Sequence, residues 1–319
     1  MSNKNFNSKT EAEEVATFFT NEIKGKTVLI TGCTWKGLGA ESARVIAKHN
    51  PALLIVAGRK QESLDDTIQK IKAETPSANL RSLIIDLASL ESVKQAAAEV
   101  NAYSEPIDVL INNAAIMASP YHTTKDGFEA QFGTNHLGPF VFTNLILPKV
   151  LASKTGAPRI VNVSSSAHII SPVRFDDPFF DNGKTYQKWL AYGQSKTANI
   201  LFSRELTNRY KSKGLTAFSP HPGVIMTNLA RDIDMSEFAI PVEDYEGNVL
   251  DFSNVEFKTL GAGTATHIVA AFDPSIASES GSYMADCQIA SDIAKPYAKD
   301  DAEAAKLWAL SEKAVGQKF

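Results

Sequence analysis

A chain of 319 residues has room for one large α/β domain or two small ones. An apolar fraction of 44% and a charged fraction of 21% are ordinary for a soluble globular protein, and a net charge of −4 excludes the basic footprint of a nucleic-acid binder. Two cysteines far apart, Cys33 and Cys287, and a few scattered histidines give neither a disulfide framework nor metal-ligand spacing, so no metal is expected. No run of about eighteen apolar residues occurs, so no membrane span is expected. Residues 1–10 lack the apolar core of a signal peptide, and a cytoplasmic location is expected.

In chain order, residues 11–23 read as a short amphipathic helix on the outside of the fold, set on an N-terminal extension covering 1–23. Residues 27–30 form a compact strand apolar on both faces, followed by a glycine-rich turn and a helix from about 40 that stops at Pro51. The alternation then repeats. Strands are predicted at 53–57, 80–86, 109–112, 160–164, 215–219 and 282–285, and helices at 61–74, from the Ser89 cap to 100, at 126–149 and at 187–211. Strands alternating with helices predict right-handed βαβ units and a parallel sheet covered on both faces. No linker composition appears, so 24–319 reads as one doubly wound domain. Two stretches break the pattern, at 171–185 and 228–259. Loops of that length beside a parallel sheet read either as insertions over the substrate site or as surface excursions.

The first strand ends in Gly32, followed by Trp35, Lys36, Gly37, Leu38 and Gly39. Glycines there allow a tight bend and aim free N–H groups at an anion, and the helix dipole adds to the attraction. The second strand ends Gly58-Arg59-Lys60, where an NAD-binding fold carries an acid for the ribose 2′-hydroxyl. Arg59, with Lys36 nearby, suits a 2′-phosphate instead and points to NADP(H). Tyr192 and Lys196 lie four apart and share one helix face, so the ammonium can lower the tyrosine pKa and make it an acid/base. Tyr121 and Lys125 repeat that spacing, but in a polar loop after Pro120. His221, before Pro222, reads as a structural hydrogen-bonding residue, whereas His168 either lines the pocket or lies exposed.

Taken together, Thr31-Gly32 with Gly37-Leu38-Gly39, Asn112-Asn113-Ala114-Ala115, Asn135, Val163-Ser164-Ser165, Tyr192-x-x-x-Lys196 and Pro222-Gly223 occur in one order. That order resembles the short-chain dehydrogenase/reductase family over about residues 24–290, and the runs around Asn112, Ser165 and His221 resemble its retinol-dehydrogenase-like and WW-domain-oxidoreductase-like branch, without a WW module. The resemblance implies Tyr192 as general acid/base and Lys196 as the group that tunes it and holds the nicotinamide ribose. It implies Ser165 on the substrate oxygen, and Asn135 on a proton path behind Lys196. Asp86 and Leu87, with Asn113, Ala114 and Ala115, would border the adenosine. Pro222, Gly223, Val224 and Thr227 would face the nicotinamide. The glycine turn holds one residue more than the family pattern, so Trp35 or its neighbour must bulge. Ser165, not Ser164, aligns with the motif serine, since neighbours on a strand point opposite ways.

The expected molecule is thus a single Rossmann-type α/β domain with a parallel sheet of about seven strands and helices on both faces. Its expected activity is NADP(H)-dependent interconversion of a ketone or aldehyde with an alcohol on a small, lipophilic substrate. The alternative is non-redox use of the same fold, as an isomerase-like enzyme or a cofactor-bound scaffold. The apolar faces of the two long helices leave room for a homodimer.

Overall fold

Every residue of β1 (Thr27–Thr31) is buried, as a strand covered on both faces requires. The computed structural model describes residues 5–227, 229, 241–253 and 256–319. Before β1 come α1 (Ala12–Phe18) and α2 (Thr20–Ile23). After it, α3 (Leu38–Ala47), β2 (Leu53–Gly58), α4 (Gln61–Glu74), β3 (Leu80–Ile84), α5 (Leu90–Ala102) and β4 (Val109–Asn112) alternate. The second half runs α6 (Ala130–Phe132), α7 (Gly138–Leu151), β5 (Arg159–Asn162), α8 (Lys188–Tyr210) and β6 (Thr216–His221). The hairpin β7 (Val242–Glu243) and β8 (Val249–Leu250) follows, then α9 (Leu260–Phe272), β9 (Tyr283–Ala285), β10 (Gln288–Ile289) and α10 (Asp301–Val315).

The main sheet has eight strands in the order β10-β9-β6-β5-β4-β1-β2-β3. All pairs are parallel except β9 with β10, which is an antiparallel edge. This is one doubly wound α/β domain. Side-chain alternation along each strand divides the core in two. Val28 and Ile30 of β1, with Leu54 and Val56 of β2, face α3 and α9, including Val45, Ile46, Ile268 and Phe272. Leu29, Leu53 and Ile55 face the opposite layer, with Val93 of α5, Phe140 and Ile146 of α7, Phe202 of α8 and Trp308 of α10. The N-terminal helix joins the first layer: Ala12, Val15 and Ala16 of α1 are buried, and its Glu13 pairs with Arg44 at 2.8 Å and Lys48 at 2.6 Å.

The helix expected at 126–149 differs most from its sequence reading. Gly127 takes φ +84° and so cannot be helical, and Glu129 caps the helix by accepting the N–H groups of Gln131 and Phe132 at 2.8 and 2.7 Å. Between α6 and α7 the backbone opens into a π-helical segment, Gly133–Leu137. Gly138 then lets the helix approach the third βα loop, where a Cβ would lie 2.4 Å from the Leu87 carbonyl oxygen. The strand expected over 80–86 ends at Ile84, because Asp86 N–H turns to Ser92 Oγ at 2.9 Å.

Two further helices, α9 and α10, lie outside the predicted alternation. The buried face of α9 is Ala, Gly and Thr as much as Ile and Val, so it shows little periodicity; α10 carries a readable cap, Asp300, on Ala302 and Glu303 N–H. Of the insertion at 228–259, residues 228, 230–240, 254 and 255 lie outside the described residues. Among the described residues no helix is long and apolar enough to cross a membrane, and no cluster of His, Cys, Asp or Glu is arranged for a metal ion.

Candidate active site

The strand order reverses between β1 and β4, and in open α/β sheets the ligand crevice lies at that reversal, outside the carboxyl strand ends. A cavity of ≈ 690 Å³ occupies this place. Gly32, Gly37 and Leu38 line it from the first turn, Arg59 from the end of β2, and Asp86 and Leu87 from the loop after β3. Asn113, Ala114 and Ala115 line it after β4, Ser165 after β5, Tyr192 and Lys196 from α8, and Pro222, Gly223, Val224 and Thr227 after β6. Thus one wall gathers residues spread over most of the chain.

Trp35, Lys36 and Gly39 are not among the lining residues. The Trp35 ring packs against the α3 and α9 core layer, with Lys70 Nζ 5.3 Å over it. The extra residue of the glycine turn is absorbed at Lys36, which takes the left-handed φ of 66°. Gly39 serves packing: a Cβ there would lie 2.6 Å from Asn113 Nδ2 and 2.8 Å from Gly32 O. The first and fourth turns are also tied by Thr31, whose Oγ1 accepts Asn113 and Ala114 N–H at 3.0 Å each while Asn113 Nδ2 donates to Thr31 O at 2.8 Å.

Tyr192 and Lys196 occupy one face of α8, both buried, with Lys196 Nζ 5.5 Å from the Tyr192 ring centroid. Lys196 Nζ donates to Val163 O at 3.1 Å, which draws it towards the end of β5. The consecutive serines separate as strand geometry demands. Ser164 Oγ donates to Lys196 O at 2.8 Å, while Ser165 Oγ accepts Ala167 N–H at 3.1 Å and lies beside the Tyr192 side chain. Burial pushes the Tyr192 hydroxyl above its ordinary value, and the neighbouring Ser165 only partly opposes this. Burial also pushes Lys196 down, to about 7. Burial thus shifts both groups towards their neutral forms.

Asn135 stands behind this pair on the π-helical segment, a device frequent at functional sites. Its Nδ2 donates to Ser195 Oγ at 2.9 Å, and Ser195 Oγ donates to Tyr192 O at 2.8 Å. The decoy pair separates: Tyr121 packs on Tyr186 at 5.2 Å, and Lys125 Nζ lies 3.6 Å from Asp86 Oδ2 on an exposed loop. His168 neither lines the pocket nor lies exposed. It is 1% exposed, and its Nδ1 donates to Ser165 O at 2.8 Å. His221 Nδ1 accepts Ser166 N–H at 3.1 Å, a hydrogen bond of the structural kind the sequence suggested.

A sequence model of the short chain dehydrogenase family matches residues 26–175. Human retinol dehydrogenase 13 is 37% identical over 297 residues, an alignment spanning 92% of this chain and 86% of that protein. The chain belongs to the short-chain dehydrogenase family. Human retinol dehydrogenase 14, 38% identical across 92% of this chain and 87% of its own, places it with the retinol-dehydrogenase-like members. The crystal structure of an uncharacterized protein from Mycobacterium Paratuberculosis, 34% identical, superposes with a TM-score of 0.70 over 93% of this chain and 96% of that one. This short-chain dehydrogenase is accordingly an oxidoreductase of the alcohol–carbonyl couple.

Some lining residues of the dehydrogenase escaped the sequence reading. Met117, Ile170, Trp189, Val242 and Phe252 give the end of the cavity near Tyr192 an apolar wall. Trp189 was within reach of inference, since it precedes Tyr192 by three positions on one helix face; its ring meets that of Tyr192 edge-on at 6.2 Å. The others carry no local signal, because an apolar side chain in a loop reads the same whether it lines a cavity or a core. The insertion at 228–259 supplies Leu229, Val242, Phe252, Ser253 and Phe257 to the cavity, whereas 171–185 supplies no lining residue. Its Phe179 packs instead on Phe128 and Phe132.

Proposed function

We propose that the chain is an NADP(H)-dependent oxidoreductase that interconverts a ketone or aldehyde with an alcohol on a small, lipophilic substrate, with Tyr192 as general acid/base. The observation that carries this reading is Ser165, Tyr192 and Lys196 brought together in the wall of a cavity that Arg59 also lines. A bound nicotinamide supplies or accepts the hydride.

The residues present suit such a group. No side chain caps α3, so the N–H groups of its first turn remain available to a pyrophosphate. Gly32, at φ +76°, leaves a cradle that a Cβ would fill, 2.8 Å from Ala114 Cα. No side chain caps α4 either, and Arg59 beside its start makes no ion pair with a described residue. A free helix N-terminus next to an unpaired guanidinium suits a 2′-phosphate.

At the other end, Lys196 would hold the ribose hydroxyls. A polar ligand beside Lys196 favours its ammonium, and that ammonium in turn favours a Tyr192 phenolate. In the reducing direction Tyr192 Oη gives its proton to the nascent alkoxide, with Ser165 Oγ donating to the same oxygen; in the oxidising direction Tyr192 takes the proton back. The apolar wall of Met117, Ile170, Trp189, Val242 and Phe252 supports a lipophilic substrate.

The deciding experiment follows NADPH absorbance over a panel of lipophilic ketones and aldehydes, with the Tyr192→Phe variant beside the wild type. Wild-type turnover is expected, with NADPH still bound but kcat lost in the variant. Full activity of Tyr192→Phe would remove the mechanism. NADPH binding without turnover on any carbonyl would favour a non-redox role.

A further inference from the structure

His221 closes β6 and does not itself line the cavity. Its Nδ1 accepts two hydrogen bonds, from Ser166 N–H at 3.1 Å and from Gly223 N–H at 3.4 Å. The two donors belong to different loops. One is the amide directly after Ser165, beyond β5; the other lies in the Pro222–Gly223 turn beyond β6, where Gly223 has φ +88°. The opposite end of the Ser165–Ser166 peptide is also held, since His168 Nδ1 donates to Ser165 O at 2.8 Å. His168 in turn receives Lys295 N–H on Nε2 at 3.4 Å. The Tyr283 ring packs against both imidazoles, 4.7 Å from His168 and stacked 6.5 Å from His221. One peptide thus has its C=O and its N–H fixed by two different histidines.

We propose that His221 is a positioning residue: through one imidazole nitrogen it ties the turn carrying Ser165 to the Pro222–Gly223 loop, so that the substrate-oxygen donor and the cofactor-facing loop keep one relative placement. The proposal rests on the redox reading above for the roles of those two loops. Neighbouring strand ends are close by default, but their loops are not rigid with respect to each other. A shared acceptor removes that freedom, and catalysis is sensitive to displacements of about 1 Å. Burial keeps the ring neutral by pushing it down to about 3, so the Nδ1 lone pair is available at neutral pH.

A packing role and a bridging role make opposite demands on two substitutions. His221→Phe keeps a ring against Tyr283 and lacks the acceptor. His221→Asn loses the ring and keeps an acceptor close to the Nδ1 position. The bridge requires His221→Phe to lose kcat by about tenfold or more, with NADPH affinity changed far less. In the free protein it also requires faster amide hydrogen exchange at both Ser166 and Gly223. His221→Asn should retain most of kcat and of the protection. Ser166→Pro removes the donor from the other side and provides the test if His221→Phe does not fold. The position accepts proline: it opens a 3-10 helix, and Ser165 before it is extended at φ −158° and ψ 158°. Its kcat should fall like that of His221→Phe. Unchanged exchange and kcat in His221→Phe, or an Asn variant as impaired as the Phe variant, would overturn the bridge. So would wild-type kcat in Ser166→Pro. If the wild type turns over no carbonyl, the redox reading fails, and the exchange comparison on the free protein still decides whether His221 couples the two loops.

Discussion

Asn135 grips the backbone of Ile116 at both of its polar atoms: Oδ1 accepts Ile116 N–H at 2.8 Å, and Nδ2 donates to Ile116 O at 2.9 Å. The second Nδ2 hydrogen goes to Ser195, so one amide ties the π-helical segment, the loop after β4 and α8 into a single unit. Asn135→Ala leaves buried polar groups without partners, at a cost of about 2–4 kcal/mol. The expected result is a lower urea midpoint at unchanged m value, together with reduced kcat. An unchanged midpoint would show that the brace is dispensable.

Two adjacent serines provide a sharper contrast. Ser165→Ala removes the hydroxyl beside Tyr192 and should lower kcat on the order of a hundredfold, as loss of a transition-state donor does. Ser164→Ala removes only a hydrogen bond to the Lys196 carbonyl. It should cost about 1 kcal/mol of stability and leave kcat within about threefold. Steady-state kinetics with a thermal melt on each variant reads both quantities, and equal kinetic losses would contradict the separation of roles.

Arg59 is the test of cofactor choice. A charge-assisted hydrogen bond contributes about 1.5–3 kcal/mol, so Arg59→Ala should weaken NADPH binding by about tenfold or more and leave NADH binding little changed. Fluorescence titration with both nucleotides measures this. Equal wild-type affinity for NADH and NADPH would defeat the assignment at once.

Acid should destabilise the fold through its buried histidines. Burial depresses His136 to about 3, His168 to about 4 and His267 to about 3, from an ordinary 6.5. Between those values and 6.5 the unfolded chain binds more protons than the native one. Stability therefore rises with pH through that window, is complete above it, and is lost as pH falls. The slope is about 1.4 kcal/mol per pH unit for each histidine. Glu129, raised by burial, contributes in the opposite sense. Urea unfolding at pH 5 and pH 7 should show the difference, and His136→Phe should flatten the slope by one proton. The same slope in that variant would mean that His136 is not held neutral.

The sequence was most legible where chemistry and periodicity are local. The span of α4 followed from its periodicity alone, and β4 was found over Val109–Asn112 as expected. The choice of Ser165 over Ser164 came from the family motif with the two-residue repeat of a strand, and the structure places Tyr192 on a helix and Tyr121 in a loop. Where the reading failed, the deciding contact was distant in sequence. Trp35 looked like a cofactor residue from its turn, yet its ring found α4 and the core. His168 looked exposed or pocket-lining, yet Lys295 and Tyr283 enclose it. The π-helical break at Gly133–Leu137 is invisible in a helical pattern that continues through it.

By itself, then, the sequence determined the doubly wound architecture, the order of the motifs and the residue types able to move a proton and hold a phosphate, because each depends on spacings of a few residues. The tertiary structure alone decided which side chains meet: Ser165 with Tyr192, Asn135 with Ile116, His221 with two loops at once. Its packing also shifts the ionisation of the buried groups. Burial pushes the Tyr192 hydroxyl up and Lys196 down, and desolvation is a property of everything packed around a group, which no local stretch of chain records.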